Sequence, residues 1–344
     1  MGGDIATKGV SRKMPSLPPK EIVKAISDAF AESGAAATLI SDARIHPRRF
    51  YVISGIVSFP LWVYVWTLTH GGGAARPRDE YRIQLTGVVP PLPLNPDGPT
   101  ILIGYEPNLR CFAGFDLRKH EAFSRNSPSI QININALRTA VRDGFAFTRK
   151  GNDEIAVAFR PDHMLAYSMN AESLHELGAD ADTSALLVKA SQFQPITKQE
   201  IAALPKERQK IVASVSRLTR DNNFRRKVII AYDRKCAVTG LQLWLIDAAH
   251  ILPVGAEGST DEVGNGLCLS PTYHRAYDNG LIYLTDSYQM RINTRKEREL
   301  VRIRLHGGLD HFKSFLDKPI LLPADRKQWP SVDYIHQANH FRDI

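Results

Sequence analysis

Residues 234–284 read RKCAVTGLQLWLIDAAHILPVGAEGSTDEVGNGLCLSPTYHRAYDNGLIYL, and this segment decides the fold of the C-terminal part of the chain. Three polar landmarks stand in an otherwise apolar sequence of strands and turns. His250 ends an apolar run, and Asn265 lies in a Gly-Asn-Gly loop. His274 precedes Asp278 by four residues. A histidine, a loop asparagine and a second histidine with a carboxylate one helical turn later are suited to holding one divalent cation beside a phosphate.

The segment is predicted to fold as a strand, a loop, a helix and a second strand. Residues 241–251 are rich in β-forming side chains and are soon followed by a proline, which favours a strand there. Ser270 followed by a proline is typical of a helix N-terminus and predicts a helix over 271–278. His274 and Asp278 then lie on one face of that helix and can point at one ion.

These motifs resemble those of the HNH nucleases, whose nuclease domain has the ββα-metal fold. The variant found in restriction endonucleases begins with Ala-His-Ile-x-Pro, which matches residues 249–253. Its later motifs, Asn-Gly-Leu-x-Leu and His-x-x-x-Asp-x-Gly, match residues 265–269 and 274–280. Upstream, Cys236-Ala-Val-Thr-Gly and Phe224-Arg225-x-x-Val228 also resemble the lead-in of this family.

The resemblance implies a role for each matched polar residue. His250 is the general base that takes a proton from the attacking water, and histidine offers the near-neutral pKa that such a base needs. Asn265 locks the loop and orients the His250 ring through a hydrogen bond. His274 belongs to the catalytic set as a metal ligand. Asp278 is either a second ligand or a support one turn away.

One position departs from the family pattern. In many HNH enzymes the residue just before the base is itself an acidic or histidine ligand, but here it is Ala249. Asp247 shares a strand face with that position because alternate residues of a strand point the same way, and it is therefore the candidate replacement ligand. The expected ion is Mg²⁺, although histidine ligation also tolerates Mn²⁺, Ni²⁺ or Zn²⁺.

Each of these residues also has a purely structural interpretation. A histidine at a strand end is usually a structural residue whose ring nitrogens are hydrogen-bonded. For His250 the surrounding motifs outweigh that expectation and favour a catalytic role. A Gly-Asn-Gly sequence favours a turn whatever its function, so both interpretations of Asn265 stay open. Asp278 could instead pair with Arg275. A degenerate module that binds DNA without cutting it is disfavoured by the intact His–Asn–His set.

The positive charge of the chain is concentrated just before the HNH motifs. The 344 residues carry a net charge of +8, which favours a polyanionic partner. Residues 206–235 contain ten basic and three acidic side chains, so most of the excess lies there. Most such runs are solvated helix faces, but next to a phosphodiesterase motif this run predicts phosphate contacts. The residues of the run that are predicted to bind DNA are Arg217, Arg220, Arg225, Arg226 and Lys227.

The length predicts two domains. An N-terminal recognition or sensor domain would occupy residues 1–195, and the HNH domain with its basic lead-in helix would occupy 196–344. The family resemblance covers residues 210–344. The N-terminal domain is predicted to be a mixed α/β domain with a mainly antiparallel sheet, which makes the fold class α+β. Short apolar or alternating runs predict strands at 164–167 and 299–305.

Residues 50–69 form an uncharged run that is long enough to span a bilayer. A proline and a glycine interrupt it, and β-branched and aromatic side chains dominate it. Two buried strands at 50–57 and 60–69 are therefore predicted, and no membrane span. The glycine-rich loop that follows carries Arg76 and Arg78, which predict either contacts to a DNA backbone or a long mobile hairpin.

Three cysteines without a CxxC pair encode neither a disulfide framework nor a zinc ribbon, and they favour a reducing, cytoplasmic environment. Together these features predict a metal-dependent endonuclease that cuts double-stranded DNA, as a type II or modification-dependent restriction enzyme. A palindromic target would require a homodimer. One alternative is an effector nuclease whose N-terminal domain senses a signal molecule. The other is a DNA-binding HNH module that does not cut.

Overall fold

The computed structural model describes residues 16–55, 57–70, 77, 79–120, 123, 128–243 and 245–344. The chain divides into two compact units, one ending at Thr219 and the other beginning at Arg220. This division lies inside a long helix. The boundary predicted at residue 195 lies earlier, in a connection between two short helices of the first unit.

Helices and strands alternate irregularly in the first unit. Its helices are α1 Pro19–Glu32, α2 Ile134–Asp143, α3 Met164–Leu177, α4 Ala181–Ser191, α5 Lys198–Ala202 and α6 Lys206–Ala231, the last of which continues into the second unit. Its strands are β1 Ala36–Leu39, β2 Arg48–Ser54, β3 Val57–Thr67, β4 Thr69–His70, β5 Glu80–Gln84, β6 Thr100–Glu106, β7 Cys111–Phe115, β8 Ser129–Asn133, β9 Phe145–Arg149 and β10 Ile155–Phe159.

A seven-stranded sheet in the order β1-β2-β3-β6-β7-β10-β9 organises the described part of this unit. Its neighbouring strands are antiparallel except for β3 and β6, which run parallel. A smaller antiparallel sheet has the order β4-β5-β8. The prediction of an α+β chain with a mainly antiparallel sheet in its N-terminal part is confirmed.

Apolar side chains cover both faces of the large sheet. Helix α1 begins with Pro19 and buries Ile22, Ile26 and Phe30 at helical spacing against one face. The other face packs against α2 and the smaller sheet. The predicted pair of strands in 50–69 is confirmed by β2 and β3. Within the described ranges, no helix combines the length and hydropathy needed to cross a bilayer.

The strand predicted at 164–167 is wrong, because these residues form the first turn of α3. Met164 to Tyr167 are all buried, so the helix shows no polar face at this end. A short run that is apolar on every side does not distinguish a strand from a buried helix. The turn at Pro161–His163, which begins with a proline, leads the chain into the helix.

The second unit is built from short elements around one core. Its elements are β11 Asp247–His250, β12 Gly266–Leu269, α7 Pro271–Asp278, β13 Ile282–Leu284, β14 Met290–Ile292, α8 Thr294–Arg302, α9 Leu309–Lys313 and α10 Val332–Phe341. The strand predicted at 299–305 is wrong, because residues up to Arg302 belong to α8. The Asn293 side chain accepts hydrogen bonds from the first backbone N–H groups of that helix, and this cap begins a helix where alternation of apolar residues favoured a strand.

Helix α6 contributes to the core of each unit with a different half. Val212 and Val215 belong to the core of the first unit. Phe224 and Val228 belong to the core of the second unit, together with the strands of the HNH segment. The helix that carries the basic run is therefore also a structural element of the nuclease segment.

Candidate active site

The predicted strand, loop and helix of the HNH segment form a ββα unit. Strand β11 pairs antiparallel with β12, with Asp247 opposite Leu269 and His250 opposite Gly266. Helix α7 follows β12 directly and begins at Pro271, as the sequence predicts. The first strand is shorter than expected, since among the described residues of 241–251, which exclude residue 244, only Asp247–His250 belongs to a ladder.

Gly266 is required at its position because α6 packs directly against β12. A Cβ atom on this residue would overlap a methyl group of Val228 and would lie 3.2 Å from the ring of Phe224. The close approach brings Phe224 against the end of β11, where His250 lies. The second glycine of the Gly-Asn-Gly sequence therefore allows the helix to reach the site.

His250 is held on its ring face and at one ring nitrogen. The ring stacks on Phe224, with the ring centroids 3.7 Å apart and the planes inclined by 13°. Its Nε2 lies 3.0 Å from Oδ1 of Asp261. The second carboxylate oxygen of Asp261 lies 2.8 Å from Nε of Arg220. Among the described residues no hydrogen bond engages Nδ1 of His250, which leaves that nitrogen to accept a proton.

Asn265 is completely buried and ties together the loop between β11 and β12. Its Oδ1 accepts a hydrogen bond from the backbone N–H of Leu252 at 2.8 Å. Its Nδ2 donates to the carbonyl oxygen of Thr260 at 2.8 Å. The partner of the His250 ring is Asp261, the residue after Thr260, and not Asn265. Asn265 thus holds the loop that presents Asp261.

His274 has a carboxylate beside each of its ring nitrogens. Nδ1 lies 3.7 Å from Oδ2 of Asp247, and Nε2 lies 3.3 Å from Oδ2 of Asp278. Burial acts to lower the pKa of His274, but the interaction with Asp247 and the two negative charges outweigh it and raise the pKa above its ordinary value of 6.5. The contact with His274, aided by the charge of Arg225, lowers the pKa of Asp247 despite its partial burial.

The donors around His274 fit a divalent cation that shares its coordination with water and substrate. Two ligands about 2.1 Å from one octahedral ion are roughly 3 Å apart when adjacent, so either carboxylate is within reach of a shared ion. In this ring orientation Asp247 and Asp278 face opposite nitrogens, so one ion takes His274 with one carboxylate and not with both. Across the described ranges no three His, Cys, Asp or Glu side chains are arranged around one point.

Helix α6 borders both histidine neighbourhoods. Its Arg220 pairs with Asp261 on the His250 side. Its Arg225 donates a hydrogen bond to the carbonyl oxygen of Ile246 at 3.1 Å and lies 4.0 Å from Oδ1 of Asp247 on the other side. No hydrogen bond, ion pair or ring contact joins His250 to His274 within the described residues. Strand β11 and the same stretch of α6 bring their surroundings together.

The remaining residues that were predicted to bind DNA fall into two groups. Arg217, Arg226 and Lys227 are exposed on α6. Arg76 and Arg78 lie outside the described residues. Arg220 and Arg225 contact carboxylates of the site, so charge in the basic run serves partly to position the site itself.

Sequence reasoning missed Asp261, which is the hydrogen-bond partner of His250. Its signal in the sequence is only that an acidic residue lies in the loop between the His250 and Asn265 motifs. The position within that loop carries no periodicity. The loop bonds of Asn265, which only the folded chain shows, bring this carboxylate to the ring.

Comparison with known families agrees with this geometry. Residues 236–285 match the model of a family described as HNH endonuclease. These residues therefore form an HNH endonuclease domain, and the chain is a nuclease. Residues 59–168 of the first unit match a family described as methylase-associated X1.

Comparison with individual proteins adds little. No curated protein matches the chain. One solved structure that does match is described as the modification-dependent TagI restriction endonuclease. The match has 13% sequence identity and a TM-score of 0.26, and it covers 82% of this chain and 80% of that one.

Proposed function

We propose that this nuclease is a divalent-metal-dependent DNA endonuclease of a restriction system. The observation that carries the proposal is the arrangement on the ββα unit. Arg220, Asp261 and His250 form a chain of contacts on one side, and His274 with Asp247 forms a donor pair on the other. A base and a cation site on one small scaffold are the two elements that hydrolysis of a phosphodiester needs.

His250 acts as the general base through Nδ1. Asp261 accepts a hydrogen bond from Nε2, which fixes the tautomer that leaves Nδ1 unprotonated. When Nδ1 takes a proton from the attacking water, the negative charge of Asp261 stabilises the imidazolium that forms. Arg220 holds the carboxylate from its other side, and the ring of Phe224 prevents the imidazole from turning.

His274 and one of its neighbouring carboxylates would hold the cation. Asp247 is the better candidate of the two, because Arg225 lies 4.0 Å from its other oxygen and its side chain is less exposed than that of Asp278. A bound divalent cation neutralises the charge that builds on the scissile phosphate. The exposed basic residues of α6 contact flanking phosphates, which sets affinity and register.

The first unit chooses the target. Its match to a family described as methylase-associated supports a place in a restriction system, and its size allows it to carry a recognition surface of its own. Sequence or base modification is the property that it would read. A palindromic target would bring two copies of the chain together on the DNA.

The test is cleavage of plasmid DNA by the full chain with and without Mg²⁺. Wild type should cut only with the cation, and His250→Ala should reduce the rate by a factor of about 10² to 10⁴, the usual contribution of a general base. His336→Ala is the matched control, because His336 is an exposed histidine on α10 of the same unit and should not matter. Equal cutting by wild type and His250→Ala would contradict the proposal.

The same assay separates restriction from the two alternatives. Discrete fragments without any added nucleotide support a restriction enzyme, whereas a smear that depends on a signal molecule supports an effector nuclease. Binding without cutting under all conditions supports a DNA-binding module. Methylated and unmethylated plasmids compared side by side show whether the first unit reads base modification.

A further inference from the structure

Residues 294–313, which we call the arm, form a helical hairpin on the nuclease unit. It consists of α8, a turn and α9. Helix α8 has no buried residue, and every residue from 301 to 308 is exposed. Most helices of a domain are stabilised by burying an apolar face, but neither α8 nor α9 has a buried residue. Its surface is available to a partner.

The arm is anchored at its start to the residues just after α7 and at its end to α7 itself, the helix that carries His274 and Asp278. Before α8, the Asn293 side chain donates a hydrogen bond to the carbonyl oxygen of Gly280 at 3.1 Å, two residues after Asp278. In α9, the ring of Phe312 stacks on Tyr273 with centroids 4.7 Å apart, and the Tyr273 hydroxyl donates to the Phe312 carbonyl oxygen at 2.7 Å. Tyr273 directly precedes His274. The arm is therefore positioned by the same helix that positions the candidate metal ligand.

The charged groups of the arm are divided between internal pairs and an open stripe. Both lysines form ion pairs with glutamates of the arm itself. Lys313 lies 2.7 Å from Glu297, and Lys296 lies 3.7 Å from Glu299. The arginines of α8 recur at the spacing of one helical face and are exposed, and no ion pair engages them among the described residues. These arginines are Arg295, Arg298 and Arg302.

We propose that this arginine stripe binds the phosphate backbone of the DNA beside the scissile bond. The inference rests on the proposed function and adds a second DNA-contact surface to it. Helix α6 precedes the HNH motifs in the sequence, whereas this surface follows them. Guanidinium groups suit phosphate oxygens because they donate two parallel hydrogen bonds and stay charged. Since the arm is anchored at Tyr273 in α7 and at Gly280 just after it, on either side of His274, the stripe meets phosphates close to the one being cut.

The alternative occupant is a second copy of the chain, because Val301, Ile303 and Leu305 at the end of α8 are 47 to 67% exposed. Charge disfavours it. Residues 291–304 contain six basic and two acidic side chains, and a twofold dimer would bring two such surfaces together. A polyanion is instead attracted to the whole segment.

The test uses the full chain with His250→Ala, so that DNA is bound without being cut. The double variant with Arg298→Gln and Arg302→Gln should have a shallower slope of log binding constant against log salt concentration. The slope should fall by about 1.8, or about 0.9 for each phosphate that is no longer neutralised. At roughly 0.1 M salt that corresponds to a fall in affinity of several tens of fold, and the fall should be the same for every sequence. The control pair is Arg326→Gln with Lys327→Gln, which removes the same charge from exposed positions of this unit.

Each result has one meaning. If the arginine double variant has the same salt dependence as the control pair, the arm proposal is overturned. The proposed function stands in that case as long as the parent protein binds DNA. Failure of the parent protein to bind DNA overturns both. A change in oligomeric state by light scattering, with unchanged DNA affinity, assigns the arm to a second copy and also overturns the proposal. Matching circular dichroism spectra confirm that the exposed substitutions leave the fold unchanged.

Discussion

At the scale of single residues, the chemistry depends on which groups occupy the two nitrogens of His250. The family resemblance assigns the orienting bond to Asn265, whereas the structure gives it to Asp261 at 3.0 Å. The amide of Asn265 satisfies backbone groups of the loop instead. This division is physically reasonable, because a carboxylate stabilises an imidazolium and a neutral amide does not.

Asp261→Asn should therefore damage catalysis more than binding. The amide keeps the size of the carboxylate but removes the charge that stabilises the protonated ring. We expect kcat to fall by a factor of about 10² to 10⁴, with KM for DNA nearly unchanged. The measurement is the steady-state rate of plasmid cleavage at several DNA concentrations.

Glu262→Gln is the matched control for this prediction, since Glu262 is the next residue and is exposed. In a protein that already carries His250→Ala, Asp261→Asn should cause no further loss, because the two groups act as a unit. A full additional loss in that background would show that Asp261 acts independently of the base.

At the scale of elements, the site is built by the close packing of α6 on the ββα unit. The basic run was predicted to be a DNA-binding surface, and it also supplies Phe224 and two arginines to the site. Which side chains of a helix turn inward depends on its partner. The absence of a side chain at Gly266 allows the two elements to touch.

Gly266→Ala should destabilise the nuclease unit by overpacking. The added methyl group overlaps Val228 and presses on Phe224, so the helix must shift. We expect a loss of about 1 to 3 kcal/mol in the free energy of unfolding, and reduced cleavage because the support of His250 moves. Denaturant unfolding of the full chain measures the stability.

Two further variants make this prediction specific. Gly264→Ala adds the same methyl group where the nearest contact is an ordinary 3.4 Å to the Trp329 carbonyl oxygen, and it should have little effect. Val228→Ala combined with Gly266→Ala should recover part of the lost stability. Equal effects of the two glycine substitutions would show that packing against α6 is not the cause.

At the scale of the whole molecule, each unit has its own core and its own response to conditions. In the first unit, Glu154 is buried between His120 and Lys150. Its oxygens lie 2.9 Å from Nε2 of His120 and 2.7 Å from Nζ of Lys150. Burial alone would raise the pKa of Glu154, but these partners outweigh it and lower the pKa from 4.5 to about 2.

This lowered pKa predicts how the first unit responds to acid. Because the folded pKa is below the ordinary one, Glu154 stabilises the fold fully above about pH 4.5, and this contribution is lost as the pH falls toward about 2. Glu154→Gln should therefore be less stable than wild type at neutral pH, and the difference should shrink in acid. Urea unfolding at a series of pH values measures it.

The control is Glu172→Gln, which removes an exposed carboxylate 3.1 Å from Arg118 in the same unit. An exposed pair contributes little, so this variant should follow wild type at every pH. If the loss of stability in Glu154→Gln relative to wild type stayed constant down to acid pH, its cause would be packing and not ionisation.

The sequence by itself determined the nuclease motifs, the order of elements around them and the α+β class. These features depend on local patterns, namely residue spacing, helix starts and the alternation of apolar residues. It did not determine the helical state of 164–167 and 299–302, because a helix end that is buried on every side and a helix that buries no residue both lack the usual buried apolar stripe. Only the tertiary structure paired Asp261 with His250 and Arg220, because side chains far apart in the chain meet only after the loop and α6 have packed.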